Sequence, residues 1–203
     1  VVDSSAGMVT RLPRPAAPPR IVPVLLVVGV SLLASCGGGS GRELPLPDPS
    51  LTVTSSAFDS GATIPAEFTC DGADLSPPLR WEAGPPETVT YAIVVDDPDA
   101  PGGIFVHWTV WGIPANATEF AAGASGSGTL PPAVREGKND FGRTGWDGPC
   151  PPRGDEPHRY RFRVYALREG IDLPSGAAPG RVLDAIEGKV VAWGELVGTY
   201  GRE

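Results

Sequence analysis

The chain has 203 residues, among them 27 Gly and 24 Pro. That share of glycine and proline argues against a helical bundle, because each one inside a helix costs about 1 or about 3 kcal/mol. A hydrophobic fraction of 41% and a mean hydropathy of −0.04 argue against a disordered chain. What remains is a loop-rich β domain with a tail. The net charge of −8 and the absence of a basic run exclude a nucleic-acid-binding surface.

The N-terminal part has the layout of an export signal. With Met8 as a candidate start, Arg11, Arg14 and Arg20 form a basic region ahead of an apolar run from Ile21 to Ser35. That run is short for a bilayer span of about 20 residues. It ends in Leu33-Ala-Ser-Cys36, which resembles the bacterial lipobox, in which small residues precede a cysteine that receives a diacylglycerol. We therefore divide the chain into a lipoprotein signal peptide, 1–35, a flexible Gly/Pro tether, 36–50, and a folded domain, 51–203. Cys36 is the expected lipidation site, and the protein is expected at the membrane on the extracytoplasmic face. Cleavage before Cys36 leaves 13 basic and 23 acidic residues, a net charge of −10. Cys70 and Cys150 remain. In an exported protein an even pair suggests a disulfide, with two separate free thiols as the alternative.

In the folded part, Leu51–Phe58 alternates and predicts a strand. Leu79–Trp81 predicts a short strand, and Thr88–Val95 a buried central one. Val106–Ile113 alternates over its length. Asn116–Gly128 is small and flexible in composition. Arg159–Ala166 places Tyr160, Phe162, Val164 and Ala166 on one face and three arginines on a solvated face. Gly180–Glu187 has the apolar spacing of a short helix. Val190–Tyr200 reads as a last strand, favoured over a helical extension by Gly194 and Gly198. Trp81, Trp108 and Trp111 are expected in the core. Strands punctuated by turns, with helix only near the end, predict a mainly β sandwich.

The chain has only two histidines, His107 and His158. Both sit beside β runs and near stiff loops, Asp96–Gly103 and Gly148–Gly154. Phe68-Thr-Cys-Asp-Gly72, Ser76-Pro-Pro78, Asp97-Pro-Asp-Ala-Pro101, His107-Trp108, Asn139-Asp-Phe-Gly142, Gly148-Pro149 with Pro151-Pro152, and His158-Arg-Tyr160 follow in order along the domain. Over nearly all of 51–203 the chain thus resembles the phosphatidylethanolamine-binding proteins, in the bacterial branch related to Raf kinase inhibitor protein. The resemblance implies an antiparallel Greek-key β-sandwich with a short C-terminal helix. It also implies a small preformed anion pocket on Asp97, Asp99, His107, Pro151, His158 and Tyr160, with Asp71 as a weaker candidate and Gly148 shaping the wall.

A phosphate needs donors, which imidazole and tyrosine supply. We expect the aspartates to fix the imidazole tautomers and raise their pKa. The expected function is a lipid-anchored binding protein for a phosphate, another small anion or a phospholipid headgroup. The alternative is an inhibitor or scaffold for a protein partner, a kinase or a serine protease. Enzymatic activity is not expected: there is no Gly-x-Ser-x-Gly, His-Glu-x-x-His or phosphate-cradling glycine loop. No cofactor and no metal are expected, although carboxylate and imidazole together could hold an ion of the zinc type.

Overall fold

A computed structural model describes Val1 and residues 39–203. The signal segment 1–35, Cys36 and the first residues of the tether lie outside the described residues. Among the described residues no helix is long and apolar enough to cross a membrane.

Among the described residues eight strands and one α-helix follow in chain order, besides a 3-10 turn at Ala66–Phe68: β1 (Val53–Thr54), β2 (Leu79–Trp81), β3 (Thr90–Asp97), β4 (Phe105–Pro114), β5 (Glu119–Phe120), β6 (Arg135–Glu136), β7 (His158–Leu167), α1 (Pro179–Ile186) and β8 (Val190–Tyr200). They make two antiparallel sheets, a small one ordered β1-β2-β5 and a large one ordered β6-β4-β3-β7-β8. The mainly β sandwich with one short helix is thus the observed fold. Strand β3 is buried at every position, as an unbroken β-branched and aromatic run in mid-sheet requires.

The front face of the large sheet carries Tyr91, Ile93, Val95, Trp108, Phe162 and Val164, which pack against Phe58 and Trp81 from the small sheet's side. The back face carries Ala92, Val94, Val106, Trp111, Tyr165 and Leu167, covered by Val182, Leu183 and Ile186 of α1. Each of these three helical side chains contributes about 1.5–3 kcal/mol by burial. Pro179 opens the helix and a left-handed Gly188 follows its end, the usual asymmetry of helix termini.

Four expectations are corrected. Of Leu51–Phe58 only Val53–Thr54 pairs, because the Ser55 hydroxyl turns the chain by bonding the Pro78 carbonyl and the Ala57 amide. Within the stretch read as flexible, Glu119–Phe120 pairs with β2. The arginine face of β7 is not solvated. Arg159 is exposed, but the Arg161 and Arg163 side chains are only 16% and 3% exposed. Burial works against the Arg163 charge, but Asp96, Tyr165 and Glu43 together outweigh it and raise its pKa. The fourth correction concerns the tether. From Gly39 to Ser50 it is laid on the domain: Leu44 is buried, Glu43 pairs with Arg161 and Arg163, and the Trp193 indole donates to the Pro47 carbonyl. Glu43 of this strap, with Asp96 and Glu195, pairs the two buried arginines.

Cys70 and Cys150 form a disulfide with Cα atoms 5.5 Å apart, inside the range such bonds require. It closes 80 residues, including β2 to β6. Replacing both cysteines by serine is expected to lower unfolding free energy by about 4 kcal/mol through the entropy returned to the unfolded chain. Urea unfolding of the two forms checks this, and an unchanged midpoint would contradict it.

Candidate functional site

Strand β3 ends in Asp96 and Asp97, both buried. Successive side chains of a strand point to opposite faces, so Asp96 meets the back-face arginines and Asp97 faces front. There the first residue of β7, His158, directs Nδ1 to Asp97 Oδ2 at 2.8 Å. Tyr160, two residues along, lies on the same face. The carboxylate can only accept, so His158 carries its proton on Nδ1 and leaves Nε2 uncommitted to it. The other Asp97 oxygen accepts from the Asp99 amide at 2.8 Å, which folds the loop after β3 back on itself.

His107 arrives by a different device. Val95 and Asp96 are consecutive on β3, yet their partners on β4 are Trp108 and Val106. His107 is the extra residue between them, a β-bulge. Bulges re-aim a side chain at sheet ends and beside sites. Here the bulge lets His107 reach the front beside Tyr160, with ring centroids 5.3 Å apart, while Trp108 keeps its core position. His107 Nδ1 donates to the Asp147 carbonyl at 2.7 Å. The Asp147 carboxylate is in turn held by Asn139 Nδ2 at 2.5 Å and Arg143 Nε at 2.8 Å. The Asn139-Asp-Phe-Gly142 turn thus fixes the segment that orients the imidazole.

These groups line a cavity of about 200 Å³ whose walls are Ala100, Pro101, Phe105, Phe141, Cys150, Pro151 and Pro152. The size suits a phosphate or small carboxylate rather than a folded peptide. Burial pushes the His107 pKa down, against the Asp147 carbonyl and the Asp97 charge. Burial and then the nearby Asp97 carboxylate push the Tyr160 phenol up, and among the described residues its hydroxyl has no partner at hydrogen-bond geometry. A larger concavity of about 360 Å³ lies along β1, β2 and β5. It holds no imidazole, and its charged groups, Arg80 and Glu119, pair with each other.

Of the residues expected in the site, Asp97, His107, Pro151, His158 and Tyr160 come together. Asp99 does not line the cavity. It turns outward to Arg159, whose hydrogen bonds hold its carboxyl down at about 2. Asp71 is bound by Arg202 and the Tyr200 hydroxyl, both at 2.9 Å. Gly148 lies behind the wall, its amide donating to Asp74. A Cβ there would stand 2.4 Å from the Phe68 carbonyl, so glycine permits that close packing. The expected net rise of the His107 pKa is corrected: nearby aspartates act in that direction, but burial outweighs them. Asp97 sets the tautomer of His158, but His107 is set by a backbone carbonyl, and burial lowers its pKa. Phe105, Phe141 and the Asp147 carbonyl were not anticipated. Phe141 had a signal in the Asn139–Gly142 motif, whereas a carbonyl acceptor has none.

Comparison with known proteins places the fold. Residues 54–201 match the model of the phosphatidylethanolamine-binding protein family. The chain belongs to that family. A UPF0098 protein of Pyrococcus horikoshii is 42% identical over 185 residues, 90% of each chain. LppC of Mycobacterium tuberculosis, described as a candidate lipoprotein, is 39% identical over 196 residues, covering 87% of this chain and 94% of its own. Among solved structures, Escherichia coli YbcL, titled a member of the mammalian family, matches with a TM-score of 0.72 and 36% identity over 75% of this chain and 99% of its own.

The buried His107 makes a prediction about stability. Its folded pKa lies below the ordinary 6.5, so the unfolded chain binds the proton more readily. Stability from this group is present above about pH 6.5 and is lost as pH falls toward the folded pKa. Denaturant unfolding between about pH 7.5 and about pH 5 is expected to show a shallower loss in His107→Phe than in the parent. Identical slopes would contradict it.

Proposed function

We propose that this chain is an exported, lipid-anchored binding protein whose pocket takes a small oxyanion, a phosphate group above all. The observation that carries this reading is the pair of imidazoles. Each has Nδ1 committed to a fixed acceptor, which leaves Nε2 for a ligand, with Asp155 4.0 Å from that of His158, beside a buried Tyr160 hydroxyl without a partner among the described residues. Neither Arg nor Lys lines the cavity, so anion recognition falls to these three groups. Export is supported by the disulfide, which persists in oxidising compartments. Lipid anchoring is supported by the Leu33–Cys36 motif and by the likeness to LppC.

The chemistry then couples binding to protons. With Nδ1–H donated to a carbonyl, neutral His107 presents Nε2 as an acceptor. An oxyanion needs a donor there, so binding draws a proton onto Nε2 and partly reverses the effect of burial. In this reading the site binds and does not catalyse: the one sulfur in its wall belongs to the disulfide, and no lining hydroxyl stands hydrogen-bonded to an imidazole.

Affinity for oxyanions is therefore expected to rise as pH falls. Sulfate keeps its charge across the range and isolates the protein's protons from those of phosphate. Calorimetric titration at about pH 5.5 and about pH 8.5 is expected to give tighter binding and less proton uptake at the lower value. His107→Phe, which keeps the aromatic contacts, is expected to cost about 10-fold or more in phosphate affinity, the worth of one charge-assisted hydrogen bond. Equal affinities at both pH values, or an unchanged affinity in the variant, would overturn the reading.

A further inference from the structure

The strap is clipped to both lips of the pocket. The Gly39 amide donates to the Gly102 carbonyl at 3.1 Å and the Gly41 amide to the Ile104 carbonyl at 3.0 Å. Between them, the Ser40 amide and hydroxyl both reach the Asp140 carboxylate, at 2.9 and 2.6 Å. Gly102 belongs to the loop that gives Ala100 and Pro101 to the cavity, and Asp140 precedes Phe141. A Cβ on Gly39 would lie 2.0 Å from the Ile104 carbonyl oxygen, and one on Gly41 would lie 2.4 Å from the Ile104 side chain. These glycines therefore serve close approach of one backbone to another. Past them the strap stays down through Arg42 on Asp184 and Glu187, Glu43 on Arg161 and Arg163, and buried Leu44.

Cys36 is three residues before Gly39. Three trans peptide units reach at most about 11 Å. A free tether of 15 residues would instead allow a separation of about 20 Å in any direction. We propose that the strap holds the anchor beside the pocket mouth, so that the mouth and its rim lie against the headgroup layer of the bilayer that carries Cys36. The proposal rests on the reading of Cys36 as the acylated residue. The rim has the chemistry for such a contact. Phe141 is 44% exposed, and Pro101 and Pro152 are exposed beside it. The nearby cations are already paired, Arg159 with Asp99 and Arg143 with Asp147. The contact is thus apolar and positioned by the anchor, since a mature chain of net charge −10 is not drawn to an acidic bilayer by its field. The occupant is a lipid surface, and the pocket samples what that surface presents.

The test uses the full lipidated protein in phosphatidylcholine vesicles containing a headgroup-nitroxide lipid, with a fluorophore on one introduced cysteine. Gly102→Cys labels the rim, where the glycine has no left-handed φ to strain. Val89→Cys labels an exposed site at the far end of β3, about 25 Å away. Quenching is expected at Gly102→Cys and not at Val89→Cys. An insertion of about 20 Gly/Ser residues between Gly38 and Gly39 leaves the fold untouched and is expected to abolish that difference. Equal quenching at both sites, quenching only at Val89→Cys, or no effect of the insertion would overturn the proposal. Self-quenching of the rim label without nitroxide lipid would show a second copy on the rim and would also overturn it. Mass spectrometry lacking a diacylglyceryl group on Cys36 would remove both the anchor and the proposal. Inorganic phosphate titrated into the same samples separates the two readings. Phosphate binding without the quenching contrast defeats only the orientation, and the contrast without phosphate binding defeats only the anion pocket.

Discussion

Strand β3 leaves the core with two adjacent carboxylates, Asp96 at 2% and Asp97 at 4% exposure. A buried carboxylate without a partner costs several kcal/mol, so each must be matched where it lies. The pleat sends them to opposite faces, and the matches differ. Behind the sheet, Arg161 Nε lies 2.7 Å and Arg163 Nη2 3.3 Å from Asp96. In front, the His158 imidazole meets Asp97. Guanidinium stays charged at any ordinary pH, whereas imidazole gains and loses a proton near neutrality. The arginines sit on the structural face and the imidazole on the pocket face. The two arginines meet Asp96, Glu195 beside Arg163, and Glu43 of the strap, which ties the strap to this face. The neighbouring carboxylates Asp96 and Asp97 thus lie at the origin of both the site and the arginine cluster that holds the strap.

The second histidine could not reach that site on a regular strand. Strict alternation would set His107 and Trp108 on opposite faces, yet the core needs Trp108 in front. The bulge opposite Val95 and Asp96 resolves the conflict at the cost of one unpaired residue. His107 then needs an orienting acceptor, which the Asp147 carbonyl supplies. The pocket is therefore built from a strand end, a bulge and a proline-rich wall stapled by Cys70–Cys150. Each is a stiff element, and stiffness limits the entropy lost when a small ligand binds.

Much of this was readable in the residues. The alternation of Tyr160, Phe162 and Val164 located β7, the continuous apolar run located β3, and the apolar spacing near Val182 located α1. The two histidines and Asp97 stood out through their place in ordered motifs. What escaped had no period to betray it. Two-residue strands such as Glu119–Phe120 and Arg135–Glu136 are set by tertiary pairing. Arg161 and Arg163 looked solvated because their cover comes from residues more than 100 positions earlier. The strap, rich in glycine and proline, looked like a linker, although Gly39 and Gly41 are chosen for contact. Asp99 looked like a pocket residue because Asp97-Pro-Asp-Ala-Pro101 reads as a unit, but the turn after β3 and the bonds to Arg159 carry it outward.

The central claim is that ligand binding draws a proton onto Nε2 of His107, whose Nδ1–H is fixed on the Asp147 carbonyl. With only two histidines in the chain, ¹⁵N NMR of histidine-labelled protein observes each ring nitrogen directly, and His107→Phe assigns the signals. The account predicts that at neutral pH free His107 is protonated on Nδ1 alone, and that saturating phosphate moves its Nε2 resonance to the protonated position. A His107 Nε2 that stays unprotonated in the saturated complex would contradict it.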